Sequence, residues 1–138
     1  MDSTIWGPHY WFVLHSIAFH YPVHPTSIIK KIHHRLIYNL HEFIPNKTIA
    51  TTFEKMLKKY PVTPYLDSRQ DFIKWMHFIH NKINERLDKP TISLAEHYDE
   101  FNRHYEPKQT KLYRLWNEKR KILFTIIILL LVALVYIK

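Results

Sequence analysis

Histidines and amides form a polar stripe in the middle of the sequence. The stripe has members at i, i+3, i+4, i+7 and i+11, namely His77, His80, Asn81, Asn84 and Asp88. This spacing places them on one face of a helix, beside an apolar stripe. Near the amino terminus, Trp11 and His15 lie one helical turn apart, with Tyr21 beyond. Such residues converging between helices predict a ligand pocket, whereas the spacing alone favours a solvated flank with ordinary surface histidines.

Composition excludes several other kinds of site. The chain has no cysteine and one glycine, which removes disulfides, thiol chemistry, iron–sulfur clusters and glycine-rich phosphate loops. Among eleven histidines, two pairs one or two turns apart have zinc-ligand spacing: His77 with His80, and His97 with His104. Because no carboxylate completes either pair, we expect no metal site. The few serines lie at helix caps, so we also expect no catalytic triad.

Prolines and capping residues divide residues 1–107 into helices, and no segment alternates with period two. Pro8 is expected in the first turn of helix one. Helix two should follow Thr26 or Ser27 and end at Pro45, and helix three should open near Asn46. The inward residues of helix two are predicted to be Ile29, Ile32, Leu36, Leu40 and Phe43. Ser68 with Asp71 and Ser93 with Glu96 are capping pairs for helix four and a short helix five. The predicted fold is an all-α four-helix bundle plus a short fifth helix.

The formal charge of +8 is concentrated near the carboxyl terminus. Residues 103–121 hold seven basic and two acidic side chains, directly before a 16-residue apolar run, Ile122–Ile137. We therefore expect a helical domain at 1–107, a basic juxtamembrane linker at 108–121 and a single-pass transmembrane tail anchor at 122–137. A buried core helix is the alternative for the tail. The basic flank should keep the domain cytosolic and attract anionic lipid headgroups, and we expect no nucleic-acid partner.

Two motifs carry a family resemblance: Trp6-Gly7-Pro8-x-x-Trp11-x-x-Leu14-His15 with Tyr21-Pro22, and Trp75 with His80-Asn81-x-Ile83-Asn84-x-x-Leu87-x-Lys89-Pro90. Together they resemble the Erv/ALR family of FAD-dependent sulfhydryl oxidases, and the first is similar to members from large DNA viruses. The resemblance implies an FAD held in the bundle. The implied cofactor-binding residues are Trp11, His15, Tyr21, His80, Asn81, Asn84 and Lys89. Pro8 replaces an arginine that many members carry, and the tryptophans of cellular members beside helix five are missing.

The four cysteine positions of the family are all substituted. The resemblance places the redox pair at Asn46 and Ile49 and the structural pair at His77 and Leu94. Since none of these residues can attack a disulfide, we expect no catalytic residue. The favoured hypothesis is a membrane-anchored, inactive structural or adaptor protein, in a viral membrane or capsid, at the host endoplasmic reticulum or the virion inner membrane. The expected partner is a second copy of the chain, an active relative in a heterodimer, or another membrane or capsid protein. The alternatives are an FAD protein without thiol chemistry, and an oxidase that uses a partner's cysteines.

Overall fold

The computed structural model describes residues 2–136, without the side chains at 108, 109, 131 and 134–136. Six α-helices account for most of them: α1 (Ser3–Phe19), α2 (Ser27–Asn39), α3 (Lys47–Lys59), α4 (Arg69–Arg86), α5 (Leu94–Tyr105) and α6 (Lys108–Tyr136). Two short 3₁₀ turns, Leu40–Phe43 and Thr63–Tyr65, follow α2 and α3. The described part of the chain contains no strand, so the predicted all-helical fold is confirmed.

Side-chain caps fix where the helices begin. The Asn46 Oδ1 accepts from the backbone N–H of Ile49 at 3.1 Å and opens α3. The Ser68 hydroxyl accepts from the N–H of Asp71 at 3.1 Å, and Ser93 and Glu96 bond each other's backbone N–H at 2.7 and 3.2 Å. These bonds satisfy N–H groups that have no partner inside their own helix. The caps predicted for α3, α4 and α5 are therefore confirmed.

Helix α1 begins earlier than predicted. Asp2 is its cap and accepts from the N–H of Thr4 at 2.8 Å, so the helix starts at Ser3. Pro8 then lies inside the helix rather than in its first turn. A proline at this position lacks the N–H that would bond one turn back, which weakens but does not end the helix. The strong cap at Asp2 explains the difference from the prediction.

The core lies in the first of two compact units, which ends at Tyr98. Its largest fully buried side chains are Trp75, Tyr21, Phe72, Ile37 and Leu57. The Trp75 indole N–H donates to the carbonyl of Tyr60 at 3.1 Å, and the Tyr21 hydroxyl donates to the carbonyl of Leu66 at 2.9 Å. Trp75 and Tyr21 thus each pair their one polar side-chain atom with the backbone, which removes the penalty of leaving that atom unpaired.

Helix α2 turns a different face to the core from the one predicted. Ile37 is fully buried and Ile29 partly so, whereas Ile32 is 53% exposed, Leu36 is exposed and Phe43 is 67% exposed. The helix has apolar residues on more than one face, so its sequence does not single out the buried one. The helix also ends at Asn39, and the tighter 3₁₀ turn that follows changes the direction of Phe43. The predicted inward placement of these three residues is wrong.

The second unit begins at Asp99 and contains α6. This helix runs without a break from Lys108 through the basic stretch into the apolar run, whose last residue, 137, lies outside the described residues. None of the described helices combines the length and apolarity that a membrane crossing requires. A 16-residue run makes a helix about 24 Å long, short of a hydrocarbon layer of roughly 30 Å, and three basic residues directly precede it. The predicted transmembrane helix is therefore not supported.

Candidate functional site

Helices α1 and α4 bring together three of the predicted site residues. His15 Nε2 and His80 Nδ1 are 2.9 Å apart and share a hydrogen bond. The Trp11 ring stacks on His80, with centroids 4.0 Å apart and planes 14° from parallel. The two helices make this contact because Leu14 and Ala18 of α1 are buried against the core and hold His15 toward α4.

Helix α5 adds a histidine that the sequence reasoning considered only as a metal ligand. The His97 ring lies 3.9 Å from the His15 ring and 5.4 Å from the His77 ring, centroid to centroid. We call His15, His77, His80 and His97 the histidine cluster. The sequence does contain a signal for the position of His97. It follows Leu94 by three residues, which places both on the apolar face of α5.

Burial keeps the histidine cluster neutral. Desolvation is the main cause that lowers the pKa of His15 to about 2, of His80 to about 3 and of His97 to about 4, and neighbouring histidines lower each further. Burial also lowers the pKa of His77. A neutral imidazole carries one N–H donor and one acceptor. Within the described chain, His15 Nδ1 and His97 Nε2 are buried and have no hydrogen-bond partner.

The two amides of the stripe hold the loop after α4. The Asn81 side chain donates to the carbonyl of Ile92 at 2.9 Å and accepts from its N–H at 3.3 Å. The Asn84 side chain donates to the carbonyl of Pro90 at 3.3 Å, and its own backbone carbonyl accepts from the N–H of Lys89 at 2.9 Å. These bonds fix the segment that carries Lys89 and leads into α5.

Tyr21 occupies a different place from the histidine cluster. Its ring packs edge-on against Phe72 and His33, and its hydroxyl is bonded to the carbonyl of Leu66. Burial is the main cause that raises its pKa. These contacts make Tyr21 part of the core, and its predicted role toward a cofactor stays a prediction.

The positions implied for cysteines carry residues with local structural roles. Asn46 caps α3, Ile49 and Leu94 are half-buried apolar residues, and His77 contacts His97 across α4 and α5. With no cysteine in the sequence, none of these positions offers a sulfur to a redox partner. Among the described residues, no three histidine or acidic side chains are grouped to hold a metal ion.

Comparison with known proteins identifies the family. The profile of the Erv1/Alr family matches residues 8–106. The chain belongs to the Erv1/Alr family. A probable FAD-linked sulfhydryl oxidase of Acanthamoeba polyphaga mimivirus is 29% identical over 82% of this chain and 80% of its own. An FAD-linked sulfhydryl oxidase of African swine fever virus (isolate Warthog/Namibia/Wart80/1980) is 34% identical over 67% of this chain and 76% of its own.

Cellular relatives are longer. The mitochondrial FAD-linked sulfhydryl oxidase of Schizosaccharomyces pombe is 33% identical over 64% of this chain, which spans 49% of that protein. The crystal structure of the yeast Erv1 core matches with a TM-score of 0.64 at 30% identity, over 69% of this chain and 79% of that one. The expected family, with its viral members, is therefore confirmed.

The histidine cluster fits a flat, uncharged heterocycle such as the rings of FAD. Two buried ring nitrogens, His15 Nδ1 and His97 Nε2, have hydrogen-bonding capacity to offer, and the neighbouring Trp11 and His80 rings are stacked. A buried polar atom without a partner costs free energy, which a ligand that bonds it would recover. FAD is therefore compatible with the residues present in this family member.

Proposed function

We propose that this protein is an FAD-binding member of the Erv1/Alr family that performs no thiol oxidation of its own and acts as a structural or adaptor component. One observation carries the proposal that the protein oxidises no thiols: the sequence has no cysteine. Thiol oxidation requires a thiolate that attacks a disulfide and passes electrons onward. The proposed FAD binding is supported by the family relationship and by the two unpartnered ring nitrogens of the histidine cluster.

The residues of this chain have distinct tasks toward a bound FAD. Trp11 and His80 supply ring faces, and His15 Nδ1 and His97 Nε2 supply hydrogen bonds inside the bundle. Asn81 and Asn84 position the loop that presents the ammonium group of Lys89. Bound flavin supplies the capacity to accept two electrons. In this chain no thiol delivers them, so the cofactor's contribution is to fill and stabilise the bundle.

Flavin binding is tested on the freshly purified full-length chain. We expect a visible flavin absorbance in near-stoichiometric amount, and its loss together with a lower melting temperature in the His80→Ala, Asn84→Ala variant. The matched control is His24→Ala, because His24 is an exposed histidine that is not part of the histidine cluster. A folded chain that takes up no FAD would refute the cofactor part of the proposal. Retention of flavin by the double variant would refute the site.

The absence of oxidase activity is tested by restoring the thiols. The native chain should not oxidise dithiothreitol at a flavin-dependent rate, whereas the Asn46→Cys, Ile49→Cys variant with bound flavin should gain such a rate. The matched control is Asn46→Ser, Ile49→Ala, which changes the same positions without adding sulfur. Flavin-dependent oxidation by the native chain would contradict the proposal.

A second copy of this chain is the partner we propose for the exposed apolar stripe of α2. Ile28, Ile32 and Leu36 follow each other at four-residue intervals and are all exposed. Contiguous exposed apolar side chains are typical of protein interfaces. Sedimentation should therefore detect a homodimer that Ile32→Glu dissociates.

Anionic lipid is the partner we propose for the basic part of α6. Lys119, Arg120 and Lys121 precede the apolar run, and the Arg120 guanidinium lies over the Trp116 ring at 5.2 Å. Cations near a membrane surface favour anionic headgroups by roughly 1 kcal/mol each. The chain should co-sediment with phosphatidylserine-containing vesicles and less with pure phosphatidylcholine. The endoplasmic reticulum of a host cell and the inner membrane of a virus particle are the membranes we propose.

A further inference from the structure

A cavity of about 450 Å³ lies between α3 and α4. Four of the side chains that line it are cations, Lys55 and Lys59 from α3 and Lys82 and Arg86 from α4. A single carboxylate, Glu85, faces them. The volume is within the range of small-molecule sites, and the lining carries a formal charge of +3.

The positive charge of this basic cavity is largely uncompensated. Lys82 Nζ pairs with Glu85 at 2.7 Å. Among the described residues, no carboxylate lies within ion-pair distance of Lys55, Lys59 or Arg86, and the Lys59 ammonium instead lies 5.1 Å from the centre of the Tyr60 ring. Lysines near helix carboxyl termini are favoured by the helix dipole, which accounts for Lys59 and Arg86. It does not account for Lys55, which is one turn further in.

The floor of the basic cavity is apolar and held in place. Met56 is buried, and Tyr60 is half-buried with its carbonyl fixed by the indole of Trp75 at 3.1 Å. The edge of the Phe78 ring meets the Tyr60 ring at 5.0 Å. A fixed apolar floor with a cationic rim suits a ligand that has both a hydrophobic body and a concentrated negative charge.

The basic cavity is separate from the histidine cluster. Lys82 follows His80 by two residues on α4, which is a rotation of about 200° around the helix. The two sites therefore lie on opposite flanks of α4, and α3 lines the cavity whereas α1 and α5 line the cluster.

We propose that the basic cavity binds a small phosphorylated molecule of nucleotide size, with its phosphates among the cations of α3 and α4 and its organic part on Met56 and Tyr60. Phosphate oxygens are strong acceptors that lysine and arginine bind with charge-assisted hydrogen bonds. A bound anion also relieves the repulsion among four cations that share one cavity. Binding at this site is independent of flavin.

Titration calorimetry of the full-length chain with adenosine diphosphate tests the proposal, with adenosine and poly-glutamate as comparison probes. We expect saturable binding of the diphosphate that weakens with salt, and none of adenosine. Lys55→Gln with Arg86→Gln should weaken it at least about ten-fold, because two charge-assisted bonds are lost. The matched control, Lys31→Gln with Lys74→Gln, removes the same charge from exposed positions outside the cavity and should leave the affinity unchanged.

Three results would overturn the proposal. The first is equal weakening in the cavity and control variants, which would indicate a general charge effect. The second is binding of poly-glutamate in preference to the diphosphate, which would indicate an acidic protein segment. The third is loss of diphosphate binding in His80→Ala, which would place the probe in the flavin site. Because the cavity variant should keep its flavin absorbance, failure here is distinguishable from failure of the proposed FAD binding.

Discussion

Acid should destabilise this protein through His15, and the effect can be isolated by one substitution. The pKa of His15 is about 2 in the folded chain because the ring is buried, against an ordinary value of 6.5. As the pH falls below 6.5, the unfolded chain binds a proton at this residue and the folded chain does not. The contribution of His15 to the free energy of unfolding is therefore highest above pH 6.5 and decreases as the pH falls toward 2.

The size of the effect follows from the two pKa values. Between pH 7 and pH 5 the unfolded chain goes from about one-quarter to nearly full protonation at His15, while the folded ring stays neutral. This difference in proton binding lowers the free energy of unfolding by about 2 kcal/mol between pH 7 and pH 5. His15→Leu replaces the titrating group with an apolar side chain of similar size. It also leaves His80 Nδ1 without its bond, so the variant should be less stable at both pH values.

The assay is urea unfolding of the full-length chain, followed by circular dichroism at pH 7 and pH 5 with matched flavin content. Between pH 7 and pH 5, the free energy of unfolding should fall by about 2 kcal/mol more in the native chain than in His15→Leu. His24→Leu is the control, since it makes the same substitution at an exposed histidine outside the histidine cluster. If His15→Leu loses as much free energy on acidification as the native chain, the reasoning from burial is refuted.

Three further predictions concern single contacts. Asn81→Leu removes both bonds to Ile92 and should lower the free energy of unfolding by about 2 kcal/mol, with faster amide exchange at Ile92; exposed Asn39→Ala should do neither. Asn46→Ala should cost about 1 kcal/mol in thermal or urea unfolding because α3 loses its cap, and Asn46→Ser should recover most of it. Ile32→Glu should shift sedimentation to the monomer with an unchanged helix content; an unchanged dimer would exclude the α2 stripe as the interface.

The beginnings of helices were predictable because their signals are local. A capping side chain and the N–H it accepts from are two or three residues apart, as at Asn46, Ser68 and Ser93, so the sequence contains both partners. Pro8 shows the limit of such signals. Pro8 lies inside α1 because the helix begins upstream of it, at the cap residue Asp2.

The buried face of α2 and the composition of the site depend on contacts between helices, which sequence spacing does not encode. Ile32 is as apolar as Ile37, and only the packing of α2 on its neighbours buries one and exposes the other. His97, in the first turn of α5, joins the cluster although it lies 82 residues along the chain from His15. The stripe at His80 was visible in the sequence, but the bond from Asn81 to the α4–α5 loop was not.

The structure indicates how this family member keeps its bundle without thiols. At the implied redox position, Asn46 caps α3 with a bond that a cysteine would make less well, so its substitution supports the helix. At an implied structural position, the His77 ring of α4 packs against the His97 ring of α5. Asn46 and His77 therefore each contribute a local contact to the bundle that involves no sulfur. The Asn46→Cys, Ile49→Cys variant should therefore lose stability, by about 1 kcal/mol of unfolding free energy, because α3 loses the side-chain oxygen that caps it.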